Sequence, residues 1–237
     1  MAAKAKAAIS GPGFSGFPKA TTTFLKGIAA HNDKAWFEAH RDLYDAGYVA
    51  PARAFVEALG PKLRAISPEV QFEPKVNGSL GRINRDIRFS KDKRPYKDHL
   101  DLWFWHGDRK GWACPGFWFR LTANEVYLGV GMHHFEKEQL EAFRNSVVHP
   151  RSGRALQAVA KAIETAGHEV GGKSRKLPPR GFETEPERAE FLLYEALYTG
   201  TTLPVSSAGE PDFAEACAKH YASVWPLGQW LLEEVSA

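Results

Sequence analysis

The spacing of apolar residues divides the chain into three blocks. In the first, about residues 18–68, they recur every three or four positions, which is the period of a helix packed on one side. Pro18 and the Thr21, Thr22, Thr23 run open a helix carrying Phe24, Leu25 and Ile28. Asn32 or Asp33 caps a second with Trp36, Phe37, Leu43 and Tyr44. A third follows Pro51, carries Phe55, Val56, Leu59 and Leu63 on one side, and stops at Ser67-Pro68.

The second block, about residues 70–132, changes to a period of two. Residues 82–89 alternate, and predict a strand with Ile83, Arg85, Ile87 and Phe89 on one face and Arg82, Asn84, Asp86 and Arg88 on the other. Leu100, Leu102 and Phe104 alternate with Asp101, Trp103 and Trp105, and a turn follows at His106-Gly107-Asp108. Phe117, Phe119 and Leu121 mark another strand, and Asn124-Glu125 turns into one with Val126, Leu128 and Val130. In the third block, residues 134–236, helical spacing returns over 138–148, 154–165, 187–198 and 212–235, the last with a bend expected at Pro226. Residues 171–179 read as a basic loop between them. Helices, consecutive strands, then helices predict an α+β fold, with a central, mainly antiparallel meander packed against N-terminal and C-terminal helices. No linker separates the blocks, so residues 14–237 read as a single domain behind a mobile tail over 1–13.

Composition narrows the function classes. Hydrophobic residues make up 43% and charged residues 25%, which is ordinary globular usage and excludes wholesale disorder. Cys114 and Cys217 build no disulfide framework. No apolar run approaches the roughly 18 residues a membrane span requires. The basic start has no apolar stretch before Gly11-Pro12-Gly13, so neither a membrane partner nor a secretory signal is expected and the location reads as cytoplasmic. The net charge of +3 argues against a general nucleic-acid coat.

That charge is nevertheless concentrated. Residues 82–97 hold four Arg and three Lys against two Asp, a local +5 that leaves −2 for everything else. A guanidinium held by a strand grips phosphate or carboxylate through two hydrogen bonds. Arg82, Arg85, Arg88 and Lys93 are therefore the expected walls of an anion site, which Tyr96 and Lys97 would close. Asp86, between arginines, reads as an orienting group and a poor base at neutral pH. Arginine and aspartate on adjacent positions also form ladders that only fix structure, and nucleic-acid contact is a further alternative.

The same segment resembles the DUF2461 family, whose hallmark is similar to R-x-x-R-D-x-R-F-S-x-D-K-x-P-Y-K. Arg82, Arg85, Asp86, Arg88, Phe89, Ser90, Asp92, Lys93, Pro95, Tyr96 and Lys97 match it. Weaker similarity covers Asn32 with Trp36 and Phe37, then Gly129-Val130-Gly131 with Leu140 and Arg144, then Pro179-Arg180-Gly181-Phe182. The chain departs from the family pattern at Met132, where that pattern runs on in glycine, and at Glu185, where it has histidine. The resemblance implies one compact α+β domain and supplies no activity.

Other constellations are weaker. His133-His134 point to opposite faces of a strand, which makes them poor co-ligands, and no metal site is expected. His99, on one face with Asp101, is the histidine nominated for proton transfer, with Asp86 the other catalytic candidate. Ser15 lacks a nucleophile elbow, and Gly171-Gly172-Lys173-Ser174 lacks the full phosphate-loop spacing, so no cofactor is expected. Trp103, Trp105, Trp112 and Trp118 read as core or helix-docking residues that could also stack on bases. The expected function is binding of a small anionic ligand, bearing phosphate or carboxylate, with chemistry on it left open. A module for nucleic acid or an acidic partner, or a structural arginine–aspartate network, are the alternatives.

Overall fold

The computed structural model describes residues 13–107 and 114–236. The tail expected over 1–13 falls almost wholly outside them, as do Asp108 and Trp112. The fold is α+β. Helix α1 (Lys19–Ala30) is followed by α2 (Lys34–Ala39), which Asp33 caps by accepting from Trp36 N at 2.9 Å. Helix α3 (Arg41–Tyr44) runs through a π turn at Asp45–Val49 into α4 (Ala50–Ile66). The π turn seats Tyr48 in the core, and its hydroxyl donates to His99 O at 3.2 Å, fixing the chain just before the first strand.

Strands β1 (Leu100–Trp105), β2 (Gly116–Leu121) and β3 (Glu125–Met132) form the expected antiparallel meander. The chain then leaves the sheet for α5 (Lys137–Val148) and α6 (Pro150–Thr165), returns as edge strand β4 (Glu169–Lys173), and passes a short α7 (Pro186–Ala189). It re-enters beside β3 as β5 (Tyr194–Pro204) and ends in α8 (Phe213–Glu234). The strand order among the described residues is β1-β2-β3-β5-β4, antiparallel throughout.

Three expectations about elements fail. Residues 187–198 were predicted as helix, but the helix stops at Ala189, a 3₁₀ turn covers Glu190–Leu193, and Tyr194 begins β5. The Tyr- and Thr-rich run 198–202 lies between β3 and β4 and satisfies both ladders, which outweighs the helical preference of Glu195, Ala196 and Leu197. Residues 82–89 were predicted as strand, yet they form an irregular loop joined to its return limb by one bridge, Asn84 to Tyr96. Alternation survives partway, with Ile83 buried and Arg82, Asn84, Asp86 and Arg88 exposed, but Phe89 is 94% exposed instead of sharing the inner face. Residues 171–173, expected in a loop, belong to β4.

One face of the sheet is packed. Leu100, Leu102, Phe117, Phe119, Leu128 and Val130 face α1, α4 and the first half of α8. Met132, Leu197 and Leu227 join a second cluster with α5 and α6. Helix α8 runs through Pro226 and supplies Tyr221 and Trp225 to the first cluster and Trp230 and Leu231 to the second. No helix among the described residues is long and apolar enough to cross a membrane.

Candidate functional site

The loop after Ile83 is tied at its neck. Asn32 donates to Tyr96 O at 3.1 Å and accepts from Tyr96 N at 3.0 Å, so one side-chain amide serves Tyr96 as a neighbouring strand would. The Tyr96 ring is buried against Phe37, with centroids 4.4 Å apart. The sequence element around Asn32 and Phe37 therefore holds the neck of the signature loop. Asn32→Ala should cost about 2 kcal/mol, two hydrogen bonds to a largely buried backbone. Urea unfolding reads this directly, and an unchanged midpoint would mean the ring stack alone holds Tyr96.

Beyond the neck the loop's charges pair with one another. Arg85 Nη1 donates to Asp92 Oδ2 at 2.8 Å and to Arg94 O at 3.0 Å. Arg88 donates through Nε and Nη2 to both oxygens of Asp86, at 3.0 and 2.7 Å, and Lys93 Nζ donates to Ile87 O at 3.0 Å. Hydrogen bonds from Arg88 hold the Asp86 carboxyl below the usual range, and Arg94 does the same for Asp92. Arg82 is exposed and makes no hydrogen bond or ion pair among the described residues.

The concave surface lies elsewhere, on the face of the sheet opposite the helices. A hollow of about 530 Å³ is bounded by Asn77 and Ser79, by Asp101 and Trp103 of β1, and by Trp118 and Arg120 of β2. Lys97 and His133 complete it, and no helix residue lines it. Of the sequence-predicted ligand residues only Lys97 reaches this hollow; Arg82, Arg85, Arg88, Lys93 and Tyr96 do not line it.

Asp101 is the hub. Its Oδ2 accepts from Lys97 Nζ at 2.9 Å and faces His99 Nε2 at 3.2 Å, and its Oδ1 accepts from Arg120 Nε at 2.7 Å. His99 Nδ1 lies 2.9 Å from Asp98 Oδ1, so an Asp98–His99–Asp101 chain leads to the Asp101 carboxylate. Burial pushes the Asp101 carboxyl up, but hydrogen bonds from His99 and Arg120 and the charges of His99 and Lys97 outweigh it and hold the group well below the usual carboxylate range. Burial, then the Arg120 charge, lowers His133. His99 and Asp101, which the sequence placed on one face, are in contact. Asp86, the other catalytic candidate, sits on the loop with both oxygens engaged by Arg88.

Arg120 was not singled out by the sequence, whereas Trp118 was read as a core or helix-docking residue that could also stack on bases and His133 as a poor metal co-ligand; all three line the hollow. The signal that finds them is the polar phase of the strands: Asp101 pairs with Arg120 across β1–β2, and Trp103 with Trp118.

The pattern of the family described as a conserved hypothetical protein (DUF2461) matches residues 20–230. The chain belongs to the DUF2461 family. No curated protein matches it. The span matched by DUF2461 takes in the Asn32 clamp, the signature loop and all five strands, so loop and hollow belong to one family unit.

Proposed function

We propose that this protein binds a small anionic ligand, bearing phosphate or carboxylate, in the hollow beside Asp101, with Lys97 and Arg120 as the anion contacts. One observation carries this reading. Arg120 spends only Nε on Asp101, so the two terminal nitrogens of its guanidinium have no partner among the described residues and remain as a fork beside the Lys97 ammonium. Asp101 fixes both cations in place, and the indoles of Trp103 and Trp118 give the ligand's uncharged part an apolar surface. The Asp98–His99–Asp101 chain would move a proton at Asp101 if chemistry follows binding.

A second reading applies to the loop. Its Arg85–Asp92–Arg94 and Arg88–Asp86 pairs support a role in holding loop shape, distinct from ligand contact.

Calorimetric titration with phosphate, sugar phosphates and nucleotides separates the two. Arg120→Ala should weaken a hit by about 10- to 100-fold, the equivalent of one charged hydrogen-bond pair, with the fold intact by circular dichroism. Arg88→Ala should leave the hit unchanged. A hit lost in Arg88→Ala and kept in Arg120→Ala would move the site to the loop.

A further inference from the structure

The hollow beside Asp101 has a neighbour that shares Trp118 with it. A second hollow of about 480 Å³ begins at the other side of that ring and runs over β3, β5 and β4 to Tyr198 and Glu169. Glycines make this possible. The Trp118 ring covers Gly129, where an added Cβ would meet it at 2.1 Å, and the Tyr198 ring covers Gly171, where the distance would be 2.4 Å. Trp103 covers Gly116 in the same way, at 2.9 Å. All three rings lean across the sheet in one direction, from β1 toward β4, each over a glycine of the next strand. His133 bridges them, with its ring 5.1 Å from Trp118 and 4.4 Å from Tyr198.

The open face is therefore a paved trough. From β1 to β4 it crosses four strand spacings of about 4.8 Å, roughly 19 Å in all. That is longer than one sugar ring or one nucleotide requires.

We propose that the ligand is a short oligosaccharide carrying one acidic group, which sits at Lys97 and Arg120 while its neutral rings lie along the trough toward Tyr198 and Glu169. This rests on the anion-binding reading above and extends it. Flat aromatic rings receive the C–H faces of pyranoses as readily as they receive bases, so stacking alone does not choose. Charge chooses. The second hollow is lined by Tyr127, His168, Glu169, Thr201 and Thr202 and by no lysine or arginine. A nucleic acid would bring a phosphate with every unit and meet hydroxyls and a carboxylate where it needs cations. A chain of hydroxylated rings finds donors and acceptors there and needs a cation only at the Lys97 end.

The test is calorimetric titration of the whole chain with five probes: glucuronate, glucose 1-phosphate, neutral xylotriose, an aldotetraouronic acid (one uronate on three neutral pyranoses) and a four-unit oligothymidylate. The aldotetraouronic acid should bind at least tenfold tighter than the better single-ring anion. Tyr198→Ala, and independently the exposed Glu169→Gln, should reduce that gain and leave single-ring binding untouched, whereas Arg120→Ala should weaken both. If the single-ring anions bind and added neutral rings bring nothing, the oligosaccharide is overturned and the anion site stands. If oligothymidylate binds tighter than the aldotetraouronic acid, a nucleic acid takes the saccharide's place. If no probe binds, both readings fall together.

Discussion

Asp101→Asn should lower stability at neutral pH by about 2–3 kcal/mol, less than a fully buried ion pair is worth because the Asp101 side chain is 26% exposed and that of Arg120 is 45% exposed. For a chain of this length that is a fall of roughly 4–12 °C in melting temperature. The substitution keeps the shape but removes the charge that three neighbours share, leaving Lys97, His99 and Arg120 facing one another. Its pH signature is specific. The folded carboxyl titrates below its ordinary value of 3.8, so the stability it contributes is fully present above 3.8 and drains away as pH falls toward the depressed folded value. The parent should therefore steepen its loss of stability in that acid range, and the Asn variant should lack that component. Anion binding should move the other way. Lys97 and Arg120 keep their charge and lose their internal counter-ion, so the less stable variant should bind phosphate at least as tightly. Melting curves from pH 2 to 7 and one titration decide it; superimposable acid limbs would remove Asp101 from the hub.

The second large effect lies far from the hollow. Arg188 is 3% exposed, and its Nη1 donates to Val147 O at 3.0 Å, His149 O at 3.2 Å and Val148 O at 3.3 Å. These carbonyls belong to the last turn of α5 and the step into α6, where helical partners run out and the dipole is negative. Gly153 lets the guanidinium in, since a Cβ there would come within 2.6 Å of Nη1. Arg188→Ala leaves a cavity and unpaired buried carbonyls, and should cost about 3–5 kcal/mol. That corresponds to a fall of roughly 6–20 °C. Gly153→Ala should also destabilise, because the added Cβ would meet Val147 O at 2.2 Å as well as the guanidinium. A melting temperature within two or three degrees of the parent, at about that precision, would show that water replaces Arg188 at little cost.

The two halves of the sheet differed in how well the sequence announced them. β1 to β3 were legible because they follow one another in sequence and inward Leu, Phe and Val alternate with polar or aromatic residues. β5 was not, since its first residues favour a helix locally and only the exposed ladders of β3 and β4 decide otherwise. The signature segment misled in a different way. Its alternation is real as far as Arg88, but a strand needs a partner, and these residues find one bridge and a set of side-chain clamps. Counting charges pointed to the loop, whose Arg82, Arg85, Arg88 and Lys93 do not line the hollow. Lys97 was nominated because it closes the segment, whereas Arg120 stands alone among apolar residues and emerges only when β2 is laid beside β1. The glycines under Trp118 and Tyr198 are likewise silent until the strands are in register.

The place of α8 in the chain bears on how the protein is made. Among the described residues it is the one helix that walls both hydrophobic clusters, and it follows their five strands in sequence. A ribosome therefore finishes these strands while Leu128, Val130 and Leu197 still lack the part of their cover that α8 supplies. Until residues 213–234 emerge, the nascent chain presents that apolar surface to whatever surrounds it. Chaperone engagement during synthesis should concentrate in that interval and end when the helix docks.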